Sequence, residues 1–249
     1  MGKERLDVLL AEKGLTESRG QAQRLILAGK VRVDGTVICK VGIRVKTDAD
    51  LAVQASQRFV SRGGEKLEEA FRSWPLDVTG CVCLDIGAST GGFTDCLLQH
   101  GASRVIAVDV GRGQLHWKLR QDPRVIVMEK VNARYLEPDD LSDVPSFAVV
   151  DVSFISLTKI LPAAVSVLTP DAEMVTLIKP QFEAGRKDVG RGGVVRRDEI
   201  REAVVDKIRT FGCNQLGLTC EAVTTSPLKG PAGNTEFLAW WKKHESVDE

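Results

Sequence analysis

Five apolar runs, CVCLDIG, RVIAVDV, RVIVMEKV, FAVVDVSF and EMVTLIKP, recur between residues 81 and 180 with helical patterns between them. No other feature of the chain restricts its fold as much. Strands apolar almost throughout need cover on both faces, which is the condition of a parallel sheet with helices above and below it. The expected class is α/β: a doubly wound, Rossmann-like and mostly parallel sheet, with helical stretches at 91–100, 156–168 and 196–210 supplying the layers. The last pieces, LGLTCEAVTTSPLKG and NTEFLAWWKK, read as two sheet-edge strands forming an antiparallel hairpin. A helix carrying Leu67, Ala70, Phe71 and Trp74, closed off by Pro75, precedes the first strand.

Upstream the pattern changes. Leu6, Leu9 and Leu10 fall at helical spacing before Gly14, and a second helix is expected from a Ser18 cap through Ala22, Leu25 and Ile26 to Gly29. VRVDGTVI then alternates about an Asp34-Gly35 turn, a strong hairpin signal. These elements make a small α+β unit, so the expected division is residues 1–58 and 59–249, with a linker at about 54–60. The 34 basic and 34 acidic residues cancel, but residues 1–60 hold 11 Lys/Arg against 7 Asp/Glu. A polyanion-binding surface is therefore expected there, on Arg5, Arg19, Arg24, Lys30 and Arg32.

The six cysteines contain no C-x-x-C pair and there are three histidines. No metal site is expected, and most of the thiols read as buried. The opening MGKERLDVLL turns polar at once, and the longest mostly apolar stretch, ILPAAVSVLTP, is too short to span a bilayer and holds two prolines. A reducing cytoplasm is the expected compartment.

LDIGASTGGFTD carries the chemistry. It lacks the Lys of a triphosphate-binding loop, and G-A-S-T-G-G places Ser89 where a dinucleotide fingerprint has the glycine that admits a pyrophosphate. A cofactor without phosphate, S-adenosylmethionine, fits better. The expected contacts are Gly87, Ser89, Gly91, Gly92 and Phe93 in the loop, with Asp85 facing the amino-acid end directly or through water. Asp109, ending the next strand, would take the ribose hydroxyls, and Asn132 the adenine edge.

Together with SRGGEKLEEAF, VVDVSFISL, LIKPQFE, GRGGVVRRD and SPLKGPAGNTEFL, this loop resembles the TlyA/haemolysin A family: an S-four-type RNA-binding domain joined to an FtsJ-like 2′-O-methyltransferase. The resemblance implies S-adenosylmethionine-dependent methylation of ribosomal RNA, in ribosomal subunits, at a cytidine ribose. It also implies a Lys-Asp-Lys-Glu tetrad at Lys66, Asp151, Lys179 and Glu236. Lys179 would be the base or the immediate hydroxyl partner, with Lys66 lowering its pKa from about 10.4 and helping to bind RNA. Asp151 and Glu236 would orient the two ammonium groups. One departure stands in the linker, where Phe59 replaces the Trp common among relatives. The tripeptide RLD at residues 5–7 is similar to that of pseudouridine synthases, but inside a helix Asp7 reads as a surface or packing residue. Three alternatives are weighed. A nicotinamide dehydrogenase is disfavoured by Ser89 and the tetrad, and an inactive RNA-binding factor by the tetrad being complete. A membrane-lytic protein is disfavoured by the lack of a spanning segment.

Overall fold

Capping and turn residues shape the N-terminal unit in the computed structural model, which describes residues 2–54 and 58–244. β1 (Lys3–Arg5) leads into α1 (Leu6–Glu12), and Gly14 at φ 69° turns the chain. Ser18 Oγ accepts the Gln21 N–H at 3.2 Å and starts α2 (Arg19–Leu27), with Gly29 at φ 67° just beyond its end. β2 (Val31–Val33) and β3 (Thr36–Ile38) are joined by Asp34 and Gly35 at φ 49° and 77°, the left-handed pair that a type I′ hairpin needs. β4 (Arg44–Lys46) pairs with β1 and β5 (Leu51–Val53) with β2. Two small antiparallel sheets, where one was expected, thus enclose Leu6, Leu10, Ile26 and Val31.

Asp7 organises this unit. It is fully buried and receives Arg5 at 3.0 and 3.1 Å, Arg19 at 2.7 Å and Gln23 at 2.7 Å. The hydrogen bonds from Arg5, with those of Arg19 and Gln23, outweigh burial and hold its carboxyl well below the ordinary range. RLD is thus a packing motif in this chain.

The second unit begins at Arg58. The linker expected at 54–60 includes residues 55–57, which lie outside the described residues. Phe59 is a core residue of the second unit, 2% exposed. The elements follow in order: α3 (Gly63–Ser73), β6 (Val82–Ile86), α4 (Gly92–Gln99), β7 (Arg104–Asp109), α5 (Trp117–Arg120), β8 (Val125–Glu129), β9 (Phe147–Val150), α6 (Leu161–Ser166), β10 (Glu173–Ile178), α7 (Pro180–Glu183), α8 (Asp198–Leu216), β11 (Thr219–Thr225) and β12 (Phe237–Lys242). The sheet runs β11-β12-β10-β9-β6-β7-β8, parallel from β10 to β8. Two apolar layers cover its faces, one around Leu84, Ile106 and Leu161, the other around Leu67, Leu97 and Val149.

Three expectations change. β12 lies between β10 and β11, so of the two hairpin strands only β11 is at an edge of the sheet. The 156–168 stretch is a 3-10 turn at Leu157–Lys159 followed by the short α6, and α8 runs on to Leu216. Only Cys83 and Cys96 are fully buried; burial pushes both thiols up, and Cys39 is exposed. Helix packing also joins Glu68, Cys96 and His100. Arg58 pairs with the Glu68 carboxylate at 2.5 Å, and His100 Nε2 lies at hydrogen-bonding distance from it, 2.8 Å.

Candidate active site

Strand order turns at β6: the chain runs from β6 through β7 to β8 on one side, then crosses to β9 and β10 on the other. A crevice opens beyond the carboxyl ends of strands at such a switch point. The glycine loop lies there. Gly87, at φ 87°, approaches the end of β9 so closely that a Cβ would stand 2.5 Å from the Asp151 carbonyl oxygen. A Cβ on Gly91 would meet Leu119 at 2.2 Å, and one on Gly92 would meet Ser61 Oγ at 2.3 Å and Gly64 N at 2.7 Å. These glycines are therefore required by protein packing as well as by any ligand. Ser89 itself sits at φ 49°.

A cavity of about 520 Å³ fills the crevice, within the size range of small-molecule sites. Ile86, Val108, Val131, Ile155 and Ile160 supply apolar walls, and Gly87, Ser89, Asp109, Asn132 and Asp151 the polar ones. Asp109 Oδ2 accepts the Ser89 N–H at 2.8 Å and Oδ1 the Gly111 N–H at 2.7 Å, and each oxygen keeps a lone pair. Asn132 Oδ1 accepts the Arg134 N–H at 3.2 Å, which leaves its amide N–H groups to donate. Gly92, Phe93, Gly63 and Ser61 line a smaller adjoining space that shares Gly87, Ser89 and Asp151 with the first. Asp85 is not on either wall. It is fully buried; Thr94 donates to Oδ2 at 2.6 Å, and Oδ1 has no partner among the described residues. Burial, with the charges of Asp151 and Asp109, pushes its carboxyl up to about 7 against the Thr94 hydrogen bond.

The four candidate catalytic residues form two ion pairs. Lys179 Nζ lies 2.5 Å from Asp151 Oδ1, off the hydrogen-bonding direction, and donates to Ser153 Oγ at 2.9 Å. Lys66 Nζ donates to Glu236 Oε2 at 2.6 Å. Gln181 Nε2, two residues beyond Lys179, donates to Glu236 Oε1 at 3.3 Å. Lys179 and Glu236 are buried, 8% and 1% exposed. Such an arrangement holds two amines in fixed positions, one of them bound to a carboxylate on the cavity wall.

Ser153, Gln181 and Glu183 were not singled out by the sequence. Glu183 accepts Ser156 Oγ and the Leu157 N–H, each at 2.6 Å, and so fixes the chain just beyond the 151–155 segment, which forms one wall. A buried acid within LIKPQFE was the available signal. Phe154 lies in this segment at φ 64°, costly for a bulky side chain, and is 91% exposed at the cavity rim. In the N-terminal unit the guanidinium groups of Arg5 and Arg19 are bound to Asp7, and Arg32 donates to Gly35 O at 2.9 Å. Lys30 donates to Gln54 at 3.3 Å, and Arg24 is exposed.

Comparison with known proteins adds an independent observation. The FtsJ-like methyltransferase model matches residues 59–243, and the S4 domain model matches residues 4–51. The Mycobacterium tuberculosis protein named 16S/23S rRNA (cytidine-2'-O)-methyltransferase TlyA is 46% identical over 95% of this chain and 88% of its own length. Hemolysin A of Brachyspira hyodysenteriae is 47% identical over 94% and 98% respectively. A solved Streptococcus thermophilus structure carrying a haemolysin name superposes with a TM-score of 0.75 at 47% identity, over 99% of this chain and 90% of that one. Among the described residues, no helix is long and apolar enough to cross a membrane.

Proposed function

The chain belongs to the FtsJ-like methyltransferase family, with an S4 domain at its N-terminus, and on that premise we propose that it methylates ribosomal RNA, transferring the methyl group of S-adenosylmethionine to the ribose 2′-hydroxyl of a cytidine. One observation carries the reading. Asp151 belongs both to the wall of the cavity that holds Asp109 and Asn132 and to the ion pair with Lys179.

The cavity suits this cofactor on chemical grounds. Asp109 and Asp151 lie on its wall, and among the described residues no Lys or Arg does. Asp151 is matched by Lys179, but Asp109 has no cationic partner among the described residues, and an unpaired carboxylate on the wall repels phosphate and attracts a sulfonium or an ammonium. Asp109 has lone pairs for both ribose hydroxyls, and Asn132 has amide hydrogens for an adenine edge. Bound there, S-adenosylmethionine supplies an electrophilic methyl group on sulfur.

The residues of the chain do the rest. A protonated ribose hydroxyl is a poor nucleophile, so a base must stand at the oxygen and hold it in line with the methyl carbon. Lys179 is that group: once its ammonium has given up a proton, Nζ takes the hydroxyl proton, and the ammonium re-formed there rests against Asp151. Ser153 fixes the direction of the amine. Lys66, oriented by Glu236, meets the phosphate beside the target ribose. The exposed ring of Phe154 is suited to stacking on an unpaired base.

Labelled S-adenosylmethionine, incubated with the protein and with separated ribosomal subunits from a strain lacking the gene, should yield ribose-methylated cytidine on mapping. No transfer to any RNA would overturn the reading.

A further inference from the structure

GRGGVVRRD is the one family-like segment that the site described above leaves without a task. Residues 186–197 hold five Lys/Arg and one Asp in a chain whose total charge is zero. Arg186, Lys187, Arg191, Arg196 and Arg197 are all exposed. Arg197 pairs with Asp188 at 2.8 Å; the other four, and exposed Lys229 nearby, have no acidic partner among the described residues.

This basic loop is firmly held. Gly190 and Val194 form an antiparallel bridge, closed by a Gly193 N–H to Gly190 O hydrogen bond of 3.0 Å. Gly192 and Gly193 take φ of 79° and 74° at the tip, where a Cβ would meet nothing within 4 Å, so the tip is open and Arg191 stands on it. Asn234, 1% exposed, fastens the loop from behind: Oδ1 accepts the Val195 N–H at 2.9 Å, and Nδ2 donates to Gly193 O at 2.8 Å. The Asn234 carbonyl also accepts the Gly230 N–H at 2.9 Å, which draws the 229–234 turn against the same loop. Asn234 lies two residues from Glu236, the partner of Lys66. A set of exposed cations is thus fixed in advance beside one of the ion pairs of the site, and rigidity of this kind lowers the entropic cost of binding.

We propose that residues 186–197 and Lys229 form a phosphate-contact surface of the catalytic unit, which seats an RNA strand beside the Lys66–Glu236 pair. The proposal rests on the reading of the site as an RNA ribose methyltransferase. Its contacts position the strand and read no sequence. They add to any made by the N-terminal unit.

The test is charge reversal at two exposed positions, Arg191→Glu with Arg196→Glu, in the full chain. Binding of deproteinised ribosomal RNA, followed by anisotropy across a salt series, should weaken about tenfold or more at ~100 mM salt. The slope of log K against log salt should fall in magnitude by about 1.4–1.8, as two cations no longer meet phosphate. Affinity for S-adenosylhomocysteine should stay within about twofold, because neither residue lines the cavity. Unchanged RNA affinity and salt slope in a folded variant would overturn the proposal. If the reversed chain fails to fold by circular dichroism, Arg191→Gln with Arg196→Gln gives the same test with half the charge change. Methyl transfer by the unaltered chain is measured alongside. Its absence defeats the methyltransferase reading, whereas transfer with undiminished RNA binding by the variants defeats only this surface.

Discussion

Single side chains in this protein divide into those that sequence reasoning can place and those that only packing reveals. Asp109, Asn132 and Asp151 follow apolar runs, and residues at strand ends in a doubly wound sheet face the crevice, so the sequence sufficed for them. Ser153, Gln181 and Asn234 act through partners 26, 55 and 39 positions away, which no local pattern encodes. Removing the candidate base is the direct test of the assignment at Lys179. Lys179→Ala should lower methyl transfer by about 10²–10⁴-fold while S-adenosylhomocysteine binding, read by calorimetry, stays nearly intact; retained turnover would remove Lys179 from the chemistry. Asp85 makes a prediction about stability. An unperturbed aspartate ionises at 3.8, whereas this one does so at about 7 in the folded chain, because burial disfavours the charge. Between about pH 4 and 7 the unfolded chain has released this proton and the folded chain has not. Stability from this group therefore falls as pH rises through that window, by up to about 4 kcal/mol, and is level above it. The urea midpoint of the unaltered protein should decline from pH 4 to 7 relative to that of Asp85→Asn, and parallel curves would show that Asp85 does not titrate there.

At the level of elements, the order of strands and helices follows from periodicity, whereas their closeness follows from glycine. The five parallel strands and the hairpin at the C-terminus are legible as apolar runs. That β12 is interior is not, because an antiparallel strand beside β10 and an edge strand carry the same pattern. Neither is the approach of α3 to α4. Gly92 lies at the start of α4 and its Cα is 3.8 Å from where a Cβ on Gly63 would stand, while a Cβ on Gly64 would fall 2.3 Å from the Phe59 ring. The start of α3, which carries Lys66, is thereby pressed against the glycine loop. Gly92→Ala should push α3 outward, since the neighbours of the new methyl include the Gly64 backbone nitrogen at 2.7 Å, which cannot rotate away. We expect a loss of about 1–3 kcal/mol, a Tm lower by roughly 3–10 °C, and a fall in kcat larger than any change in cofactor affinity. A variant with undiminished Tm and kcat would mean that the two helices do not need this contact.

Considered whole, the molecule is two units with separate cores. Leu6, Leu10, Ile26 and Val31 close one, and the two faces of the seven-stranded sheet hold the other. Composition already separated them, because the basic excess lies at one end and the apolar strands at the other. What composition concealed is how those cations are used. Arg5 and Arg19 share the buried Asp7 carboxylate, which offsets one of their two positive charges, so fewer of the unit's cations are available to RNA than their number suggests. The catalytic unit, with its own basic loop at 186–197, should then retain part of the affinity for RNA. A chain cut to residues 58–249 contains the whole cavity and both ion pairs, and its core does not include the small unit. It should fold alone and bind S-adenosylhomocysteine with about the affinity of the full chain. Its kcat/KM on ribosomal subunits should fall through KM rather than kcat, because the reacting groups stay in place while fewer cations meet phosphate. The remaining affinity should still fall steeply with salt. An excised unit that binds RNA as tightly as the full chain would show that the S4 domain contributes none of the phosphate contacts, and one that binds none would place them all there.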